Sequence, residues 1–152
     1  MKAKGAAAAS EEEEQKKEFD QQQLEAHVFQ RLSSMAGRRG ERRRQRVFSF
    51  FLDLISEEAV PNGIERYLPW IVAPLHRAVE EQDRREREAR QSPHHKRLQP
   101  RDGATAALAH DVLRRLEDLL GPDLVAKAVA SVATTLKQRR NDRRQKRAVD
   151  AV

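Results

Sequence analysis

The chain has 152 residues and a formal net charge of +6, with 36 % charged and 38 % hydrophobic residues and only one Trp, one Tyr and five Phe. That balance supports one small core, not several domains. The absence of Cys excludes disulfides, thiolate metal sites and cysteine nucleophiles, and no run of apolar residues is long enough to span a membrane.

Residues 1–20 are low in complexity, and although EEEEQKKE could form a solvated helix it has nothing to bury before Phe19, so this acidic N-terminus is expected to be disordered. Its alanine run is too weakly hydrophobic for a secretory signal and too close to acids for a transit peptide, which points to a soluble intracellular protein. A helical stripe then begins with Leu24, Val28, Leu32 and Met35, flanked by Phe29, and stops at Gly37 and Gly40. A second helix is expected over about 41–58, where Val47, Phe48, Phe50, Phe51, Leu54 and Ile55 make a face wide enough for two neighbours. Pro61-Asn62-Gly63 reads as a tight connector. The third helix carries Ile64, Tyr67, Leu68, Ile71, Val72, Leu75 and Val79, and Pro69 and Pro74 within it predict a kink or break near one of them. EEQDRREREAR follows as a solvated helical extension, and residues 92–103, SPHHKRLQPRDG, as a linker. A fourth helix spans about 104–120 with Leu108, Val112, Leu116, Leu119 and Leu120 on one face. Gly121 and Pro122 join it to a fifth, with Leu124, Val125, Val129, Val132 and Leu136 inward.

These elements predict an all-α chain of HEAT-like helical hairpins. One hairpin is expected over about 41–80, within a segment 21–91, and a terminal one within 104–152, with a basic C-terminal helix. Repeats of this size stack into α-solenoids, and two alone do not complete a solenoid core, so the pattern predicts the end of an array. A self-contained four- or five-helix bundle is the alternative on the same periodicity.

Charge is the strongest functional signal. From Lys137 to Arg147 the chain reads KQRRNDRRQKR, with seven basic residues against Asp142, so this segment accounts for the whole net charge of +6. As a helix it stacks Arg139 on Arg143, Arg140 on Arg144 and Arg143 on Arg147, like-charge pairs that each cost about 0.2–0.5 kcal/mol. Cations at a helix C-terminus offset part of that cost through the macrodipole. Against phosphates the repulsion becomes useful, because arginine forks pair with phosphate oxygens and release counterions. Lys137, Arg139, Arg140, Arg143, Arg144, Lys146 and Arg147 are therefore the candidate phosphate-binding residues. A second basic cluster, Arg38, Arg39, Arg42, Arg43, Arg44 and Arg46, lies at a helix start, where cations oppose the macrodipole and add nothing to helix stability. A solvated loop explains it equally well.

No catalytic constellation emerges. His94 and His95 are adjacent but have no further ligands for a metal, and His27, His76 and His110 stand apart. Ser33, Ser34 and Ser131 have no adjacent base, and no phosphate-binding glycine loop or HExxH motif is present. Trp70 and Tyr67 fall within the apolar stripe and read as core. No enzyme, metal, cofactor or small-molecule substrate is expected.

The stretches RYLPWIVAPLHRAVEEQD and LAHDVLRRLEDLLGPDLVAKAVASVATTLKQRRNDRRQKRAVDAV carry a resemblance. Leu119 and Leu120 lead toward Ala130-Ser131-Val132, then the basic run Arg139 to Arg147, then Ala148-Val149. This order resembles the C-terminal end of the down-regulated-in-metastasis family of HEAT-repeat proteins, components of the small-subunit processome. The resemblance covers about 45–149. It implies a non-enzymatic scaffold of the nucleus and nucleolus in pre-ribosomal RNA processing, with pre-ribosomal RNA, a small nucleolar ribonucleoprotein and ribosome assembly proteins as partners. Family members carry many more repeats and continue into a longer basic tail, so the chain is expected to correspond to a terminal piece. The alternative is a protein-interaction module whose basic helix docks on an acidic partner or acts as a nuclear import signal.

Overall fold

The computed structural model describes residues 4–37, 40–56, 63–91 and 103–149, and every regular element among them is helical. These are α1 (Lys4–Ala36), α2 (Glu41–Ser56), a 3-10 turn (Ile64–Tyr67) running directly into α3 (Leu68–Gln91), α4 (Ala104–Leu120) and α5 (Pro122–Val149). The linker 92–102, with His94 and His95, lies outside the described residues.

Two findings differ from the sequence pattern at the N-terminus. The backbone is helical from Lys4, where residues 1–20 are expected to be disordered. Ala, Glu, Gln and Lys are strong helix formers, and local bonds such as Gln22 to Glu18 (3.2 Å) add to that propensity without any burial; residues 15–20 are all exposed. The face that packs is also not the most apolar one. Leu24 is 65 % and Val28 43 % exposed, whereas Phe29 is 4 % and Ala36 2 % exposed. The bulkier ring wins the core position because it can stack on Tyr67, with ring centroids 4.5 Å apart.

The two prolines of the third helix are accommodated differently. The break falls before Pro69, where the 3-10 turn changes to α3; a proline in the first helical turn sacrifices an amide that has no intrahelical acceptor there. Pro74 sits buried inside α3, which runs on through the charged extension to Gln91 as its sequence predicts. Gly121 closes α4 with φ +89°, a backbone conformation that favours glycine, and its N–H donates to Glu117 O at 2.9 Å. Pro122 then opens α5.

The helices form two layers. Tyr67 meets Phe29 and Glu25 at one end of α1 and α3, while Arg77 reaches Gly37 at the other, so these helices run parallel. α3 and α5 are also parallel: Pro69 lines a groove with Ser131, Arg77 with Arg139, and Glu80 bonds Arg140 at 2.9 Å. α1, α3 and α5 therefore make one layer with α3 in the middle. α2 and α4 make the other, packed along each other and joined at their starts by the buried Thr105. Its hydroxyl donates to Glu41 (3.0 Å) and accepts from Gln45 Nε2 (3.1 Å).

The pairing is shifted from the expected 41–80 hairpin. α2 packs on α1 and α4, and faces α3 only across a diagonal; the direct neighbours across the layers are α1 with α2, α3 with α4, and α4 with α5. Phe48, Phe51, Ile71, Val72, Leu75, Val112, Leu116 and Val125 fill the space between the layers. The wide apolar face of α2 is thus shared between α1 and α4.

Tyr67 holds the first layer to this core. Its hydroxyl donates to Glu25 Oε2 at 2.7 Å, and burial first, then that hydrogen bond and the carboxylate charge, push its pKa up to about 12. Because the folded state binds this proton more tightly than a phenol at 10.0, its stabilisation is present below that pH and is lost as the pH rises toward 12. Denaturant unfolding across this range should show the loss. Tyr67→Phe should flatten the profile there and cost about 1 kcal/mol at neutral pH; an unchanged alkaline profile would contradict the assignment.

Candidate nucleic-acid interface

On α5 the apolar stripe turns into an arginine stripe without changing face. Val125, Val132 and Leu136 are buried, and Arg139, Arg140, Arg143 and Arg147 continue the same side at helical spacing. Lys137 and Arg144 fall on another face, Lys146 lies near the line of Arg139, and all seven basic residues are exposed. Asp142, the acid within the run, accepts from Gln138 (2.9 Å) and not from an arginine. Arg143 Nε donates to the backbone oxygen of Arg139 at 3.1 Å, which holds the Arg143 side chain back along the helix.

The inner stripe meets α3 at Arg77. Burial first, and then the charges of Arg139, Arg140, Arg143 and Arg44, hold the Arg77 pKa below the usual arginine value. Two of the four neighbours are ion-paired: Arg44 with Glu81 at 2.7 Å and Arg140 with Glu80 at 2.9 Å. Arg77, Arg139 and Arg143 have no carboxylate partner among the described residues. Like charges held this close repel, and an anion placed between them relieves the repulsion.

A trough of about 360 Å³ leads away from this cluster. α3 forms its floor with Trp70, Ala73 and Arg77; α1 supplies Gln30, Ser33 and Ser34 on one wall, and α5 supplies Ser131, Thr135 and Arg139 on the other. No carboxylate lines it. A second pocket, of about 480 Å³, continues past Arg77 between Arg44 and Arg140, but there Glu80, Glu81 and Asp83 stand among the arginines, and Glu80 and Glu81 pair with Arg140 and Arg44. The part free of carboxylates is the trough.

The two basic clusters read from the sequence meet only in part. Arg44 of the second cluster joins Arg139, Arg140 and Arg143 around Arg77. Arg42, Arg43 and Arg46 are exposed and take no part in it, and Arg38 and Arg39 lie outside the described residues. Lys137 and Arg144 extend along the solvated face of α5, and Lys146 and Arg147 lie beyond the cluster toward the end of the helix. Trp70, expected in the core, is only half-buried and borders the trough, with Ser33, Ser34 and Ser131 alongside. Arg77 is absent from the sequence candidates. Its signal is a cation seven residues after Trp70 in an otherwise apolar stretch, and one helix alone does not show what stands beside it. His27 and His110 are exposed and apart, and His76 lies 3.9 Å from Glu80. Among the described residues no group of acids and histidines is arranged to hold a metal ion, and no helix is long and apolar enough to cross a membrane.

Comparison with protein-family models, with curated proteins and with solved structures yields no match.

Glu81 anchors the cluster at its α2 end. The hydrogen bond from Arg44 holds its carboxyl below the usual carboxylate range, aided by the charges of Arg44, Arg85 and Arg84 and opposed by burial. Its stabilisation is therefore present above 4.5 and is lost as the pH falls below that value. Glu81→Gln should cost about 1 kcal/mol at neutral pH, given its partial exposure, and should remove this part of the acid loss. Unfolding curves of the two proteins that stay parallel from neutral pH down through the carboxylate range would contradict the anchor.

Proposed function

We propose that the chain is a non-enzymatic helical scaffold that binds RNA through an arginine face built by α2, α3 and α5. One observation carries this reading: five arginines, Arg44, Arg77, Arg139, Arg140 and Arg143, gather on one side of the fold, and two of them have carboxylate partners. The other three, Arg77, Arg139 and Arg143, have no carboxylate partner among the described residues, which leaves their charge open to an anion. The family resemblance gives the polyanion its identity, pre-ribosomal RNA within the small-subunit processome. The working place is then the nucleolus, and ribosome assembly proteins are the further partners.

The layered fold supports an extension of the same reading. Parallel helices in each of two layers are how HEAT-like arrays stack. In that register the repeats are α1 with α2 and α3 with α4, and α5 begins the next. α5 would then be the element through which a solenoid end hands its charge to RNA.

Lys137 and Arg144 favour a second reading for their own stripe. They are exposed and lie to one side of the line of Arg139 and Arg143, as in a helix read by an acidic partner or an import receptor. Competition between RNA and an acidic peptide separates the two: charge reversal at these two should abolish peptide binding and leave most of the RNA affinity.

If the five clustered arginines each neutralise a phosphate, log affinity should fall against log salt with a slope of about −3.5 on single strands and about −4.5 on duplex. A salt-independent affinity, or one unchanged in a variant carrying Gln at 139, 140 and 143, would overturn the proposal.

A further inference from the structure

Four aromatic rings run in sequence from the core to the trough. Phe51 and Phe29 have centroids 6.3 Å apart, Phe29 and Tyr67 4.5 Å, and Tyr67 and Trp70 6.2 Å, all in stacked orientation. The first three are buried, and Trp70 is the outer member, half-buried on the trough floor. An indole fixed by a ladder behind it loses little further freedom when something stacks in front. Arg77 follows Trp70 by two helical turns on the same floor, with Arg139 beside it on the α5 wall, and Gln30, Ser33 and Ser34 face them from α1.

This arrangement pairs an apolar ring, amide and hydroxyl groups, and a carboxylate-free pair of cations. Those are the parts a single nucleotide unit needs: a platform for the base, partners for its polar edge and the ribose, and a seat for phosphate. The volume of about 360 Å³ lies within the span of about 300–1,000 Å³ usual for ligand sites. The width selects the strand state. Neighbouring helix axes lie about 8–10 Å apart, so α1 and α5, on either side of α3, are roughly 16–20 Å apart. Subtracting a helix diameter of about 10–12 Å leaves an opening of several ångströms, which admits an unpaired base and not a duplex.

We infer that the trough between α1, α3 and α5 is a single-stranded RNA site, in which an unpaired base stacks on Trp70 and its phosphate lies between Arg77 and Arg139. This rests on the RNA-binding reading above and adds to it a strand preference and a base contact. Duplex RNA is then held only at the outer arginines.

Trp70 is the one tryptophan of the chain, so its emission reports the trough directly. The full chain is titrated with single-stranded oligouridine, with a blunt RNA duplex and with inorganic polyphosphate, while binding is followed independently by anisotropy of a labelled strand. Oligouridine is expected to quench Trp70 and added salt to restore it, while duplex and polyphosphate bind without comparable quenching. Trp70→Leu should weaken oligouridine by about 5- to 150-fold, the contribution of one stacked base, and duplex hardly at all. Circular dichroism checks that this variant keeps its helices, and the emission titration of the unaltered protein stands without it. Binding of oligouridine with unchanged emission would overturn this inference and leave the broader RNA reading in place. Equal quenching by polyphosphate would also overturn it, because no base is then involved. No binding by any of the three would remove both.

Discussion

The packing of α3 on three sides is the constraint on which the rest of the structure depends. α1, α4 and α5 all rest against it, and it buries Leu68, Ile71, Val72, Pro74, Leu75 and Ala78 over less than half its length. Each fully buried apolar side chain contributes about 1.5–3 kcal/mol. Sliding α5 by one turn along α3 would either carry Arg140 into the buried place of Leu136 or carry Leu136 out to the place of Arg140. The register of α5 is therefore fixed by apolar burial, and the position of every arginine beyond Leu136 follows from it.

That order of causes explains how the chain holds like charges together. Each like-charge contact costs a few tenths of a kcal/mol, and the ion pairs Arg44–Glu81 and Arg140–Glu80 return part of it. Against the burial that fixes α5 this is a small term, so the core prevails and the repulsion persists in the folded state. It is concentrated at Arg77, where desolvation and four neighbouring guanidinium groups act on one side chain. A bound anion converts that local cost into affinity. Trp70 lies two turns away on the same helix, so the packing that sets the arginines also sets the distance between the proposed phosphate seat and the proposed stacking surface.

Much of the fold was legible in the sequence because helical periodicity and punctuation are local. Gly121-Pro122 marked the α4–α5 junction, and the fourth helix begins and ends where its stripe does. What stayed hidden is non-local. The wide face of Val47, Phe48, Phe50, Phe51, Leu54 and Ile55 announced two neighbours for α2 without saying that they are α1 and α4, and Phe50 stays outside both contacts, 45 % exposed. The line of Leu24, Val28, Leu32 and Met35 reads as the inner face of the first helix, but Phe29 finds an aromatic partner in Tyr67, which leaves Leu24, Val28 and Met35 exposed and only Leu32 packed on the core. The candidate site shows the same division. The run from Lys137 to Arg147 is evident from composition, whereas Arg77 matters only because α5 brings Arg139 and Arg143 to it, and Arg44 arrives from a different layer.

On the proposed reading, Arg77 is kept as a cation because it binds phosphate, at a small cost in repulsion from the guanidinium groups around it. Paired measurements on Arg77→Met, which keeps an unbranched stem and removes the charge, test this most directly. The variant should unfold at slightly higher denaturant concentration, by about 0.2–0.5 kcal/mol, because Arg77 is exposed and solvent screens much of the repulsion. RNA binding should be weaker, with a salt slope shallower by about 1. A variant that is less stable than the natural chain and binds RNA with the same affinity and salt slope would contradict that reading.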